Sequence, residues 1–117
     1  MRIEIDKKKI PYVFTFKSGN EIYLLRIKHF KSNNRIYVDV MDENGEVMLE
    51  NEKLVYGRPL GWFINKDENN NINNKFLSCY IVALSFDKKE VPITYENFCE
   101  TVFLEYFDIF NLGGKNV

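Results

Sequence analysis

Apolar and polar positions alternate along most of the chain, and that period of two predicts strands from end to end. Ile3 and Ile5 alternate with Arg2, Glu4 and Asp6 ahead of Lys7-Lys8-Lys9, the pattern of a short half-buried strand running into a charged edge or loop. Tyr12, Phe14 and Phe16 share one face, and Ser18-Gly19-Asn20 closes a hairpin into a strand over Glu21 to Phe30. There Tyr23, Leu25 and Ile27 form one face, while the other passes from Ile22 and Leu24 to Arg26 and Lys28. That second face is expected to go from covered to wet along its length. After the polar turn Lys31-Ser32-Asn33-Asn34, Ile36, Val38 and Val40 alternate with Arg35, Tyr37 and Asp39. Asp42-Glu43-Asn44-Gly45 is the strongest hairpin signal, because Asn-Gly supplies the positive φ values of primed turns. Val47 and Leu49 then return along a further strand.

The alternation breaks at Glu52-Lys53-Leu54-Val55-Tyr56-Gly57-Arg58-Pro59-Leu60. Gly57 permits positive φ, while Pro59 fixes its own φ and pushes Arg58 into the extended region, so the stretch is a corner that presents Arg58. Two readings follow. In one it is only a corner between strands with Arg58 in solvent; in the other it is a shaped contact loop in which Arg58, Leu60 and Trp62 anchor an interface with a partner protein.

Residues 65–75 hold a single strong apolar side chain, Ile72, and such a segment cannot bury enough surface to order itself. A mobile Asn-rich loop is expected there, a tolerated insertion rather than a recognition segment. From Phe76 to Phe86 both alternating sets are apolar, Phe76, Tyr80, Val82 and Leu84 on one side and Leu77, Cys79, Ile81 and Ala83 on the other. This predicts a strand covered on two faces, by the core and by either a second sheet or a neighbouring subunit. The element at 98–110 is ambiguous. Asn97 and Glu100 resemble a capping box, and Phe103, Phe107 and Phe110 follow at helical intervals, yet Thr101 to Phe107 is rich in β-branched and aromatic residues, which favours a strand. Residues 111–117 read as a flexible tail. The predicted fold is mainly β, a small antiparallel β-barrel or sandwich with at most one short helix.

Composition narrows the function classes. The 117 residues suit one domain, placed at 1–110, and 45% hydrophobic with 15% aromatic content supplies a packed interior. A net charge of −1 argues against binding to a nucleic-acid backbone, and no apolar run reaches the ~20 residues that span a bilayer. Neither a membrane nor direct nucleic-acid contact is expected. Cys79 and Cys99 stand in unrelated contexts and read as small hydrophobes rather than a disulfide. His29 is the only histidine, which rules out a two-histidine mechanism or a zinc set of ordinary spacing. Glu4 with Asp6 and Glu50 with Glu52 put carboxylates on one strand face, and solvated edges are the simpler reading. Ser18, Ser32, Ser78 and Ser85 lack a nucleophile-elbow context, and Gly57 and Gly61 lack a phosphate-loop lysine. No catalytic set, metal or cofactor is expected. Seven Tyr and ten Phe fit core and interface packing better than a stacking platform, because basic residues are not interleaved with them.

Three separated motifs carry a family resemblance: Asp42-Glu43-Asn44-Gly45-Glu46, the corner Leu54 to Leu60, and Tyr95-Glu96-Asn97-Phe98-Cys99-Glu100-Thr101-Val102-Phe103-Leu104-Glu105-Tyr106. Together, and in this order from about Ile10 to Asp108, the chain resembles the phage baseplate plug family of contractile tails and tail-like bacteriocins. The resemblance implies a β-rich, non-enzymatic structural subunit without cofactors. It implies a homo-oligomeric ring, threefold or sixfold, at the distal end of the tail tube, with other baseplate, hub and tail-tube proteins as partners. Its place would be the virion baseplate or a tail-like particle, assembled in the host cytoplasm, with Tyr56, Gly57, Arg58, Pro59, Leu60 and Trp62 as the interface. The alternative is a small soluble β-barrel binding module for peptide or single-stranded nucleic acid.

Overall fold

The computed structural model describes residues 1–62 and 79–108. The Asn-rich loop expected at 65–75, the tail at 111–117, and residues 76–78 and 109–110 of the flanking elements lie outside them.

Four strands, β1 (Tyr12–Ser18), β2 (Glu21–Phe30), β3 (Arg35–Asp42) and β4 (Val47–Lys53), form an antiparallel meander in sequence order. A second, two-stranded antiparallel sheet pairs β5 (Cys79–Ser85) with β6 (Val102–Asp108). The strand reading of the ambiguous 98–110 element holds. Asn97 caps no helix; its carbonyl accepts the N–H groups of Glu100, Thr101 and Val102 in a tight turn that launches β6.

One hydrophobic cluster joins the sheets. Phe16, Leu25, Ile27, Val38 and Val40 face Ile81, Ala83, Val102 and Leu104, with Leu54, Leu60, Ile93 and Phe98 closing the sides. The architecture is therefore sandwich-like rather than a closed barrel, because the sheets meet through side chains and the meander pairs with neither strand of the second sheet.

Both edges of the small sheet are covered by irregular chain. The Ile3 N–H donates to the Leu104 carbonyl at 2.8 Å and Arg2 bridges Glu105, so the first segment lies along β6 instead of forming a strand of its own. On the other side, the Gly57 and Leu60 N–H groups donate to the Ala83 and Ile81 carbonyls at 2.9 and 2.8 Å. Covered edges leave no open template for unwanted pairing.

Two local expectations are corrected. At Asp42–Gly45 only Gly45 has positive φ, +85°, so the turn is not a primed one. The Asp42 carboxylate accepts the N–H groups of both Asn44 and Glu46 at 2.9 Å, which holds an Asx-type turn with glycine at its end. The outer face of β2 is also reversed: Ile22 is exposed, whereas Arg26 and Lys28 are half-buried around Asp39. Asp39 is 1% exposed. Its carboxylate takes Arg26 at 3.2 Å, Lys28 at 3.0 Å and the Asn51 N–H at 2.7 Å. The β3–β4 register shifts beside it, and Asn51 sits at φ +56°. A bulge thus turns an amide toward the side chain that satisfies it.

Candidate interface

The corner between β4 and β5 is built from two successive turns, each with a glycine in its third position. Arg58 N–H returns to the Val55 carbonyl at 3.1 Å with Gly57 at φ +75°, and Trp62 N–H returns to the Pro59 carbonyl at 3.2 Å with Gly61 at φ +62°. Positive φ at that position is what a type II turn requires.

Tyr56 latches the corner to the end of β5. Its hydroxyl accepts the Ser85 N–H at 3.1 Å and lies 3.1 Å from Ser85 Oγ, while Ser85 Oγ donates to Asp87 at 2.7 Å. With the serine proton committed to Asp87, the tyrosine hydroxyl is the donor to Ser85 Oγ. The Ser85 hydrogen bond, supported by the Lys89 N–H, holds the Asp87 carboxyl below its ordinary range. A weaker 3.5 Å contact from the Gly61 N–H to Glu52 adds a tie on the other side.

Held in this way, the corner divides its residues between core and surface. Leu60 is 2% exposed and packs in the core, so its side chain is not displayed as an anchor. Tyr56 and Pro59 are half-buried; Gly57 is exposed and Trp62 is 44% exposed. Arg58 is half-buried, and among the described residues its guanidinium makes no hydrogen bond or ion pair. The half-buried Arg58 and the part-exposed Trp62 are thus carried on a backbone pinned along β5. A cleft of about 320 Å³ lies on the flank, where Lys53, Val55 and Tyr56 face Glu90 and Pro92.

The other sequence candidates fall into local structure. His29 is half-buried, with Nε2 2.7 Å from Asn34 Oδ1 and its ring against Tyr95. Asp6 accepts the Lys8 N–H as the cap of the 3-10 turn at Lys7–Lys9, and Glu4 and Glu50 are exposed. Cys79 is fully buried; Cys99 is half-buried, and burial pushes its thiol up to about 11, so it stays protonated at neutral pH. Among the described residues no group of three or more His, Cys, Asp or Glu is placed to hold a metal.

Two features escaped the sequence reading. Phe86, assigned to the doubly apolar strand, lies just past its end and is 98% exposed. The polar run Asp87-Lys88-Lys89-Glu90 that follows was the available signal that the strand stops there. The Tyr56–Ser85 latch had no signal, since a serine ending an apolar strand looks like any strand end.

Gly57→Val probes the corner's backbone. A Cβ there meets nothing within 4 Å, so only the +75° φ opposes a side chain. The expected loss is about 1–2 kcal/mol of stability, the usual cost of left-handed backbone for an L-residue. Denaturant unfolding measures it, and Gly57→Asn, which tolerates this φ, is expected to lose less.

Two small antiparallel sheets around one core, with the corner at 54–62 pinned along β5, define a small sandwich-like β domain. The chain belongs to the family described as cyanophage baseplate Pam3 plug gp18, which it matches over residues 1–109. It is thus a structural component of a phage-tail baseplate, and other baseplate proteins are its neighbours. No curated protein matches it.

Proposed function

We propose that the chain is a non-enzymatic plug or hub component at the distal end of the tail tube, in a contractile phage tail or a related tail-like particle. Several copies form a ring, threefold or sixfold, against hub and tube proteins. The residues at 56–62 supply one contact, made by Arg58 and Trp62 with Tyr56, Gly57 and Pro59 holding their geometry and Leu60 rooting the loop in the core. The observation that carries this reading is the guanidinium without a partner among the described residues, on a loop fixed by backbone and side-chain hydrogen bonds. A pre-ordered loop lets an arginine bind without the ordering cost of a free one.

Arg58→Ala separates folding from assembly. Since the side chain has no hydrogen bond or ion pair among the described residues, unfolding stability is expected to stay within about ±0.5 kcal/mol. Truncating an interfacial Arg commonly costs ~2 kcal/mol or more, and a ring repeats the loss at every subunit. Complementing a tail-gene deletion with this variant is therefore expected to give few active particles. Wild-type yield with full incorporation would overturn the interface.

A further inference from the structure

The outer face of the β5–β6 sheet carries an apolar cleft with a basic rim. Register places Leu84 opposite Phe103 and Tyr80 opposite Phe107 on this face, away from the core side of Ile81 and Leu104. A hollow of about 300 Å³ opens there, floored by Leu84, Phe103 and Phe107 and walled by Phe86. Arg2 and Lys88 stand at its rim, together with Glu105. Glu105 is already answered by Arg2 at 3.5 Å, and the same guanidinium lies 3.6 Å from the Phe103 ring centroid. Asp87 is turned back onto Ser85 and the Lys89 amide. Lys88 has no ion pair among the described residues, which leaves the rim with unanswered positive charge.

A Phe that is 98% exposed beside two part-exposed aromatic rings forms a patch rather than a scattered residue. The chain itself carries a segment of matching chemistry. At the β3–β4 hairpin Glu43 and Glu46 are exposed and unpaired among the described residues, and Val47 beside them is 51% exposed. The Asx turn at Asp42 fixes this tip. It lies at one end of the four-stranded sheet, whereas the cleft lies on the outward face of the other sheet. One surface of a copy can then fill the other surface of the next, a head-to-tail arrangement that generates rings when it closes.

We propose that the cleft of one copy receives the β3–β4 hairpin of a second copy, with Val47 against Phe86, Phe103 and Phe107, and Glu43 and Glu46 facing Lys88 and Arg2. This rests on the reading of the chain as a multi-copy baseplate subunit and names the contact that joins the copies.

Sedimentation of the purified full chain over a concentration series tests the contact. The wild type is expected to self-associate. Phe86→Ser, Lys88→Glu and the pair Glu43→Lys with Glu46→Lys are each expected to weaken association about tenfold or more, as loss of an anchor or reversal of a facing charge does. None of these side chains holds another part of the described chain, and unchanged circular dichroism checks that each variant folds. Mixing the Lys88→Glu chain with the Glu43→Lys, Glu46→Lys chain brings the unchanged hairpin of the first against the unchanged cleft of the second and is expected to recover pairing between the two chains. A wild type monomeric throughout, variants that associate normally, or a mixture that does not recover would each overturn the contact. Loss of particle incorporation by Phe86→Ser with a monomeric wild type would also overturn it, by assigning the cleft to a different protein. Failure of the baseplate reading has a separate signature: the chain would be missing from purified tails whatever its self-association.

Discussion

Phe98→Ala is expected to lower the unfolding free energy by about 3–5 kcal/mol, the usual cost of emptying a fully buried Phe site. Phe98 is 0% exposed and heads the fully buried side chains by volume. It sits where the turn at Asn97 meets β6, with its N–H on the Thr94 carbonyl and a bridge to Val102. That turn is rigid, since Cys99 is held at φ +68° with its N–H on the Val102 carbonyl at 2.7 Å. The surroundings therefore collapse poorly into the space left, which puts the cost in the upper part of the range. Typical domains have only about 5–15 kcal/mol in total, so the variant remains folded but marginal. Urea unfolding is expected to show a lower midpoint with an unchanged slope. Phe107→Ala is the control, because Phe107 is 37% exposed on the opposite face of the sheet; it is expected to lose under about 1 kcal/mol. Equal losses at the two sites would contradict the facing of β6.

Asp39→Ala is expected to cost about 2–3 kcal/mol, although it lies on the outward face of the meander. The carboxylate satisfies the Asn51 amide at the bulge and faces two cations, and hydrogen bonds to charged groups contribute about 1.5–3 kcal/mol. Removing one partner of a buried ion pair can cost about 3–5 kcal/mol. Here the figure falls below that range, because the Arg26 side chain is 43% exposed and regains water. Asp39→Asn keeps an acceptor for Asn51 and loses the charge, so an intermediate cost is expected.

The same site predicts a pH dependence of known sign. Burial raises the Asp39 pKa, but the Asn51 amide, Lys28 and Arg26 together outweigh it and hold the group below its ordinary 3.8. A depressed folded pKa means that the unfolded chain takes up the proton first as pH falls. The stabilisation is therefore complete above the ordinary value and is lost below it, as pH falls through the folded pKa. Thermal unfolding of wild type and Asp39→Ala is expected to show a constant gap from pH 5 to 7 that narrows below about pH 4. A gap that widened with acid would reverse the assignment.

The strands and their inward faces were legible because period two identifies one face of a strand from local composition alone. Tyr23, Leu25 and Ile27 on β2, and Ile36, Val38 and Val40 on β3, all lie in the core. The ambiguity at 98–110 also has a simple origin. Phe103 and Phe107 are four apart, a spacing that places two residues on one side of a helix and of a strand alike. Only partners across space decide between them, and β5 supplies those partners.

What the sequence determined by itself is the set of strands, the residues that turn the chain, and the corner at Gly57 and Pro59. What the tertiary structure decided is which outward face is covered, and by what. Alternation shows that a second face exists and carries no information about the chain that crosses it. Asp39 belongs to the polar set of its strand, yet the β4 bulge brings Asn51 against it and buries it, and Leu60 read as an interface anchor until the corner docked along β5 and turned it inward. Phe86 and Ile81 belong to one apolar run, yet one is wholly exposed and the other wholly buried. The strand ends at Ser85, where a hydroxyl from Tyr56, 29 residues earlier, takes the amide. A contact over that separation is fixed by the packing of two sheets, and no local window of sequence contains it.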